Sequence, residues 1–587
     1  MSQLSQASNQ KRLRFVSIGA AAFFGLAIYS QANVQILSSQ EIKAKALKSK
    51  RFVVTHVDYP KRGQILSADG QVLARDEGVY ALHLNFDKVP KSRGFYLDLG
   101  EAAGMSGSEI QELANNSGGD VLWPARLTPD QKKKVEAVKT KWRADGLSAD
   151  SSGQRLYPMG TASSSIVGLL GNSAVAKGVE KSLAEEIAGS PGRSKGLVDR
   201  TGAFLPMRME EESEKRIDGA DVVLTIDSSL QQAAFDSIKR AVDSNKAESG
   251  IALVLDPKTG DILAMANWPS FDPKTGQGPN GKPADFNPNI MGHFEPGSTM
   301  KILTQAKALE DGVVGPGWTW NCSGVLKKGP YQIRCDEHHG SRAHGSLNME
   351  KALALSCNVS AAQWACEIGF DPYHEFIKDL GLMDQPKIQM PNTKAGSLFI
   401  EPVAKTHELM CWGFGQSMGV TPLALGSAFT ALGNEGAWMK PRLVKSIGGK
   451  ELPVEKGNDV FSPETTRQVM QYMEAVIDWE RGTGKALRIP GYRLAGKTGT
   501  AERKGRAGGG YVSNFVGFLP ADNPKAMILV MVDRPSVGRY YGATVAGPVF
   551  LDLARAVIRK YGLKPSSGTT EIVKKPIAPQ VEVEVQR

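Results

Sequence analysis

One uninterrupted apolar run near the N-terminus limits where the rest of this chain can fold. Residues 15–34 carry no charged side chain, and Lys11, Arg12 and Arg14 precede them. About twenty residues in a helix, each rising about 1.5 Å, span the roughly 30 Å of bilayer hydrocarbon. Because no acidic residue accompanies the three cations in residues 1–14, the run predicts a single-pass anchor with a cytoplasmic N-terminus.

A cleaved signal peptide is the alternative interpretation of this run. Ser30 and Ala32 form a small-x-small cleavage site. The run is longer than the apolar core of about 7 to 15 residues that is usual in signal peptides, which favours the anchor. Under either interpretation, the bulk of the chain is exported.

Composition describes an ordinary globular protein behind this segment. Of the 587 residues, 41% are hydrophobic and 22% charged, which is enough to bury several cores, so a chain of this length should form several domains. The net charge of +10 is dispersed and forms no long basic block. Because neither zinc-finger spacing nor basic and aromatic interleaving occurs, nucleic acid is not a predicted partner.

The sequence pattern changes near residue 220, which predicts two domains, 35–220 and 221–562. The first range alternates short β-like runs with Gly and Pro breaks and contains two helical stretches, 128–141 and 179–188. We expect an elongated α+β pedestal there. The second range begins with a strand and an amphipathic helix at 222–243 and continues with a β-hairpin at 250–267.

Two further strand patterns, NFVGFL and AMILVMVD, and a last helix precede residue 562. Strands at both ends of the range with helices between them predict one antiparallel sheet, its early and late strands adjacent, flanked by helices. The predicted fold class is therefore multi-domain α/β, and residues 563–587 are predicted to be a flexible tail.

The segment FEPGSTMKILTQ carries the first chemical signal. Pro296 and Gly297 break the chain before a helix that should begin at or near Ser298. Lys301 follows three residues later, on the same helix face. The lysine can therefore act as base for the serine hydroxyl, while the helix N-terminus offers N–H groups to an oxyanion.

A Ser-x-x-Lys pattern occurs by chance in a chain of this length, but two more motifs accompany it. Ser356 and Asn358 form a Ser-x-Asn, and Lys497, Thr498 and Gly499 stand in LAGKTGTAE on a β-like run. The spacings from Ser298 to Ser356 and from Ser356 to Lys497 are 58 and 141 residues. This ordered set is typical of serine acyltransferases that react with penicillin.

With these motifs, the sequence resembles the class B penicillin-binding proteins over nearly its whole length. In the pedestal, KRGQILSADGQVLARD and GVEKSLAEEIAGSPG are similar to early family signatures. Around the three motifs, three further segments resemble segments that are typical of the family: GFGQSMGVTPLAL, SNFVGFLPADNP and YYGATVAGPVF. The acidic signatures of a glycosyltransferase domain do not occur before residue 240, which argues against the bifunctional class A relatives.

The resemblance implies a membrane-anchored peptidoglycan D,D-transpeptidase of the bacterial inner membrane that needs neither cofactor nor metal. Its substrates would be stem peptides on lipid-linked or nascent glycan, and β-lactams would acylate the same serine. The implied catalytic residues are Ser298, Lys301, Ser356, Asn358 and Lys497. The implied substrate-binding residues are Thr498, Gly499 and Thr500, and the backbone N–H groups of Ser298 and Thr500 would form the oxyanion hole.

Glu295 and Thr498 resemble the division-type branch more than the elongation-type branch. The division role implies as partners a glycan polymerase of the shape, elongation, division and sporulation family and other division proteins. An elongation-type transpeptidase is the first alternative. A β-lactam hydrolase or sensor and an inactive scaffold are further alternatives, although residues 1–14 provide no output module for a sensor and all three motifs are intact.

Five cysteines leave at least one thiol without an intramolecular disulfide. Cys322 and Cys335 flank a predicted turn and could close it by a disulfide in an exported protein. Alternatively, Cys335 could bind zinc with His338, His339 and His344, although this spacing matches no regular finger. We expect Cys357, Cys366 and Cys411 to be buried small hydrophobes, and Cys357 to point away from the reacting groups. The glycine-rich stretch 503–510 is interpreted as a connector, with a substrate gate as the alternative.

Overall fold

A computed structural model of the chain describes residues 2–38, 53–116, 120–170, 177–198, 204–206, 214–279, 286–335, 343–399, 405–503 and 509–565. The chain divides into two compact units. The first comprises Met1–Lys61 with Ala188–Gly219, and the second comprises Arg62–Ile187 with Ala220–Arg587. Residues 62–187 of the predicted pedestal thus fold in the same unit as the three motifs.

The first unit contains a long N-terminal helix and a small sheet. The helix Ser2–Ala32 continues as a π-helical turn, Asn33–Leu37. Its segment Leu13–Ile36 is long and apolar enough to cross a membrane, as the predicted anchor at 15–34 requires. The sheet is antiparallel and consists, in spatial order, of the strands Val53–Asp58, Gly192–Val198 and Phe204–Pro206.

The first part of the second unit is built on a seven-stranded sheet. Its strands are Ile65–Leu66, Val72–Asn85, Asp120–Leu127, Leu147–Leu156, Val222–Leu224, Val444–Ile447 and Lys450–Glu451. The accompanying helices are Arg93–Ala103, Gly107–Asn116, Pro129–Trp142, Thr161–Val167, Gly178–Ser182 and Ala184–Ala188.

Both helical stretches predicted in this part of the chain are observed, the second with a break. The helix predicted at 128–141 is observed at Pro129–Trp142, where Thr128 and Gln131 form a reciprocal capping box. The helical stretch predicted at 179–188 is observed as two short helices on either side of Leu183.

A five-stranded antiparallel sheet, called here the central sheet, organises the rest of the second unit. In spatial order its strands are Ile262–Trp268, Ser249–Leu255, Ala526–Asp533, Gly510–Leu519 and Ala495–Arg503. Leu253 lies opposite Leu529, so the first and last strands of the sequence are neighbours as predicted. The strand Ala526–Asp533 is buried almost throughout because helices cover both faces of the sheet.

The buried side chains alternate between two hydrophobic clusters, one on each face of the central sheet. Ile251 and Leu253 belong to one cluster and Ala252 and Val254 to the other. The second cluster is covered by the helices Ser228–Ser244 and Gly547–Tyr561. The first is covered by the helices Met300–Glu310, Met349–Ala354, Asn358–Ile368, Phe370–Asp379, Lys405–Trp412, Pro422–Gly433 and Pro463–Asp478.

Shorter elements complete this unit. Two hairpin-like pairs, Thr319–Cys322 with Gly345–Asn348 and Val325–Lys328 with Tyr331–Arg334, precede the Ser-x-Asn motif. The remaining strands are Ser397–Leu398, Met418–Gly419, Ala437–Met439 and Lys456–Asp459. The remaining short helices are Pro288–Met291, Gly297–Thr299, Lys485–Leu487 and Gly542–Val545.

Three predicted features fall wholly or partly outside the described residues. They are the centre of the glycine-rich stretch, 504–508, most of the predicted tail, 566–587, and His338 with His339.

Candidate active site

Ser298 lies in a single 3₁₀ turn, Gly297–Thr299, that leads directly into the helix Met300–Glu310. Gly297 has a left-handed φ of +57°, which glycine adopts without strain. A Cβ atom on Gly297 would lie 3.3 Å from the Cβ of Ala501. The turn therefore packs closely against the strand that carries Lys-Thr-Gly, and Ser298 is half-buried beside it.

Two of the segments that resemble the family also form hydrogen bonds with this turn or with Pro296 before it. The Gly297 amide donates to the Gly415 carbonyl over 2.9 Å, and a Cβ on Gly415 would lie 2.3 Å from the Gly297 oxygen. The Asn514 side-chain amide donates to the Pro296 carbonyl over 3.2 Å. The distant segments GFGQSMG and SNFVGFL thereby fix the backbone that presents Ser298.

Lys301 joins the first motif to the second. Its Nζ donates to the Ser356 carbonyl over 2.6 Å, to Ser356 Oγ over 3.1 Å and to Asn358 Oδ1 over 2.6 Å. Ser356 has a φ of +56°, an uncommon conformation for a residue with a side chain. This backbone kink places both its carbonyl and its hydroxyl at the lysine amine.

Lys497 joins the third motif to the second. Its Nζ donates to Ser356 Oγ over 2.8 Å and to the Thr498 carbonyl over 2.9 Å. The hydroxyl shared by the two ammonium groups is therefore that of Ser356. We call Lys301, Ser356, Asn358 and Lys497 the cation cluster.

Both amines of the cation cluster are withdrawn from solvent. The exposed fractions of Lys301 and Lys497 are 1% and 0%. Burial, and then repulsion by Lys301, lower the pKa of Lys497 well below its usual value. The neutral form of Lys497 is therefore reached at lower pH than that of a solvated lysine.

The strand Ala495–Arg503 presents the third motif at the edge of the central sheet. Its register places Gly499 opposite Asn514, where a Cβ would lie only 1.8 Å from Asn514 Oδ1. Thr500 Oγ1 accepts from the Gly542 amide over 3.3 Å, so its own proton is available for another acceptor. The Thr498 hydroxyl donates to Thr483 Oγ1 over 2.9 Å.

Sequence reasoning missed the contribution of Thr483. Its amide donates to the Ala354 carbonyl over 3.2 Å, close to the second motif, while its hydroxyl contacts the third. Its position between Gly482 and Gly484 was the available signal. A Cβ on Gly482 would lie 2.3 Å from the Val476 oxygen, so only glycine fits there.

The cysteines differ from the predictions. Cys322 and Cys335 are free thiols with their sulfur atoms 3.6 Å apart, so the structure contains no disulfide between them. Cys357 is buried, as expected, but it is not an isolated hydrophobe, because its sulfur lies 3.6 Å from both other sulfur atoms.

Comparison with known proteins agrees with this geometry. Residues 250–555 match the family model of the penicillin binding protein transpeptidase domain, and residues 57–224 match that of the penicillin-binding protein dimerisation domain. The crystal structure of penicillin binding protein 2X from Streptococcus thermophilus is similar in fold. It has a TM-score of 0.73 and 20% identity, over 87% of this chain and 80% of that chain.

Two curated relatives are similar over most of their lengths. The probable peptidoglycan D,D-transpeptidase PenA of Neisseria gonorrhoeae is 27% identical over 95% of this chain and 94% of its own. The peptidoglycan D,D-transpeptidase FtsI of Escherichia coli K12 is 29% identical over 87% and 85%. With the family models and the converging motifs, these relatives show that the chain belongs to the class B penicillin-binding proteins and is a peptidoglycan D,D-transpeptidase.

Proposed function

We propose that this chain cross-links stem peptides during septal wall synthesis, with Ser298 as nucleophile. The observation that carries the catalytic assignment is the convergence of Lys301 and Lys497 on one hydroxyl, Ser356 Oγ. Three motifs separated by 58 and 141 residues meet there, beside the turn that holds Ser298. No simpler structural role calls for two buried lysines at one serine, because burying like charges is costly.

The proposed acylation step gives each of these groups one role. Ser298 Oγ attacks the carbonyl of the penultimate D-alanine, and Lys301, in its neutral form, takes the hydroxyl proton. Ser356 Oγ, between the two amines, passes a proton to the leaving nitrogen, so terminal D-alanine departs and a serine ester remains. Asn358 holds both Lys301 and the substrate amide.

The third motif binds the substrate's carboxylate and the developing oxyanion. Thr500 Oγ1, whose proton is uncommitted, donates to the carboxylate, and the Thr498 hydroxyl joins it by turning away from Thr483. Gly499 lets the strand pack against Asn514 and so keeps the two threonines in register. Lys497 Nζ holds Ser356 Oγ beside them. The backbone N–H groups of Ser298 and Thr500 bind the oxyanion, where each donor contributes about 3 to 4 kcal/mol in comparable sites. An amine from a second stem peptide then displaces Ser298 and completes the cross-link. β-Lactams acylate Ser298 in the same way.

The septal role, the domain organisation and the topology complete the proposal. FtsI-like relatives, and Glu295, whose carboxylate accepts from the Ser417 amide over 2.9 Å, favour the division branch. The helix around 15–34 anchors the chain with residues 1–14 in the cytoplasm. Residues 35–220 act as pedestal for the catalytic residues 221–562, and with the anchor they bind a glycan polymerase of the shape, elongation, division and sporulation family and other division proteins.

Labelling with a fluorescent penicillin tests the nucleophile. Ser298→Ala should abolish covalent labelling of the full-length protein, because no other group replaces the attacking hydroxyl. Ser165→Ala, at another half-buried serine in the helix Thr161–Val167, should label like the wild type. Persistent labelling of Ser298→Ala would refute the assignment, and an adduct that turns over within seconds would favour a β-lactam hydrolase.

Localisation of a fluorescent fusion in growing cells tests the septal role. Enrichment at midcell is the expected result. A sidewall distribution would overturn the division role in favour of elongation. Normal wall synthesis in a Ser298→Ala strain would instead identify a scaffold.

A further inference from the structure

Three cysteines and one histidine meet behind the Ser-x-Asn motif. The sulfur atoms of Cys322, Cys335 and Cys357 form a triangle in which each side is 3.6 Å. His344 Nδ1 lies 3.6 Å from Cys322 Sγ, and all four atoms lie within 4.8 Å of one another. We call these four residues the sulfur cluster.

The dimensions of the sulfur cluster match those of a tetrahedral metal site. With Zn–S bonds of about 2.3 Å, the sulfur atoms of a tetrahedral zinc centre lie about 3.8 Å apart. Three equal separations of 3.6 Å are close to this value. A disulfide requires about 2.05 Å between two sulfur atoms and would leave the third thiol unpaired.

The local fold brings these residues together from four separate places. Cys322 ends the strand Thr319–Cys322, and Cys335 follows the strand Tyr331–Arg334, with its amide bonded to the Gly324 carbonyl over 2.9 Å. The pairing of Cys322 with Gly345 places His344 beside Cys322. Cys357 caps the helix Asn358–Ile368. The antiparallel pairing thus brings ligands that are distant in sequence to one place, as in compact zinc sites.

The burial of the sulfur cluster argues against a purely hydrophobic packing role. All three cysteines are buried, and the imidazole of His344 accompanies them. Placing an imidazole among three thiols costs free energy unless the polar atoms are used.

We propose that Cys322, Cys335, His344 and Cys357 bind one structural Zn²⁺ ion. Three thiols release their protons to solvent and form three Zn–S bonds, and the neutral imidazole forms one Zn–N bond through Nδ1. Tetrahedral sulfur and nitrogen donors select zinc among the common divalent metals. Because four protein ligands complete the coordination, the ion has no open position for catalysis. This site revises the expectation that the protein needs no metal.

The metal has a consequence for the cation cluster that rests on the proposed function. Cys357 is the middle residue of the Ser-x-Asn motif, between Ser356 and Asn358. Asn358 Nδ2 also donates to the Arg334 carbonyl over 3.2 Å, next to Cys335. Zinc bound to Cys335 and Cys357 would therefore fix the chain next to Arg334 and next to Asn358. It would thereby keep Ser356 in its left-handed conformation. The sulfur cluster positions the acceptors of Lys301 and takes no part in the chemistry.

Metal analysis of the purified full-length protein tests the site. Elemental mass spectrometry should find one zinc per chain, and Cys322→Ser and His344→Ala should each lower zinc retention at least tenfold. Cys366→Ser, at a half-buried cysteine outside the sulfur cluster, should retain it. Cobalt substitution should give the intense visible absorption of a tetrahedral thiolate site. Metal-free protein with a Cys322–Cys335 disulfide, seen by mass mapping of alkylated thiols, would overturn the proposal, as would full zinc in both cluster variants.

Chelation of the wild-type protein avoids dependence on variants that fail to fold. Removal of zinc should make three additional thiols reactive to alkylation and slow acylation by fluorescent penicillin, and added zinc should restore both. Equal acylation rates with and without zinc would overturn the positioning role alone. Absence of any labelling, with zinc still bound, would refute the proposed nucleophile and leave the metal site standing.

Discussion

Two buried clusters of charged side chains in the same compact unit are built on opposite principles. Around Glu180, charges are matched: Arg155 Nε lies 2.6 Å from Glu180 Oε1, and Arg62 lies 3.5 Å from the other oxygen. In the cation cluster, two ammonium groups share one hydroxyl instead. No carboxylate forms a salt bridge with Lys497 within the part of the chain that the structure describes.

The difference separates stability from reactivity. The matched cluster joins two pedestal signatures that are 118 residues apart in sequence, and its attraction offsets the cost of burying Arg155 and Glu180. In the cation cluster, burial and then repulsion by Lys301 lower the pKa of Lys497. Removing a group from the first should therefore change mainly the free energy of unfolding, and removing one from the second should change mainly the acylation rate.

Replacing Ser356 should have the largest effect. Ser356→Ala and Ser356→Gly both remove the hydroxyl that the two amines share, so acylation by penicillin should slow by about 10² to 10⁴-fold. Glycine relieves the positive φ, so Ser356→Gly should be about 1 kcal/mol more stable than Ser356→Ala. Stopped-flow acylation and thermal unfolding measure the two quantities. Wild-type acylation by Ser356→Gly would show that the backbone, and not the hydroxyl, matters.

Replacing Glu180 should have the next largest effect, on stability. Glu180→Gln leaves Arg155, whose side chain is 3% exposed, with the partly exposed Asp76, 3.1 Å away, in place of its buried counter-charge. The free energy of unfolding should fall by about 3 to 5 kcal/mol, as measured by urea denaturation. Glu455→Gln breaks an exposed salt bridge with Lys440 and should change the free energy of unfolding by less than about 1 kcal/mol. Equal effects of the two variants would contradict the contrast between the clusters.

We expect the smallest effect in the pH dependence of the melting temperature when Lys497 is replaced by Met. The folded pKa of Lys497 is lowered, so above that pKa the unfolded state binds more protons, and wild-type stability rises with pH until about 10.5. Each unit of lowering corresponds to about 1.4 kcal/mol. Lys497→Met lacks this slope, so its melting temperature should exceed the wild type's by an amount that shrinks as pH rises. Loss of two hydrogen bonds adds only a pH-independent offset. A constant difference would show that Lys497 has an ordinary pKa.

Local patterns predicted much of this fold correctly. The capped helix after Thr128, the hairpin at 250–267 and the adjacency of Leu253 and Leu529 each depend on turn signals or apolar periodicity that the sequence displays directly. The helical stretch predicted at 179–188 is interrupted at Leu183, a break that periodicity does not reveal. Thr483 escaped prediction because its partners are distant in sequence. The zinc alternative named Cys335 and His344 but not Cys357, which lies in a separate helical segment.

The order and spacing of Ser298, Lys301, Ser356, Asn358 and Lys497 were enough to identify a serine acyltransferase, since residue types carry the chemistry and local propensity places them on a helix start and a strand. Which hydroxyl the two amines share, and that Cys357 faces two other sulfur atoms, depended on packing. Such contacts arise when segments far apart along the chain are pressed together around a common core, where a difference of one ångström changes the partner.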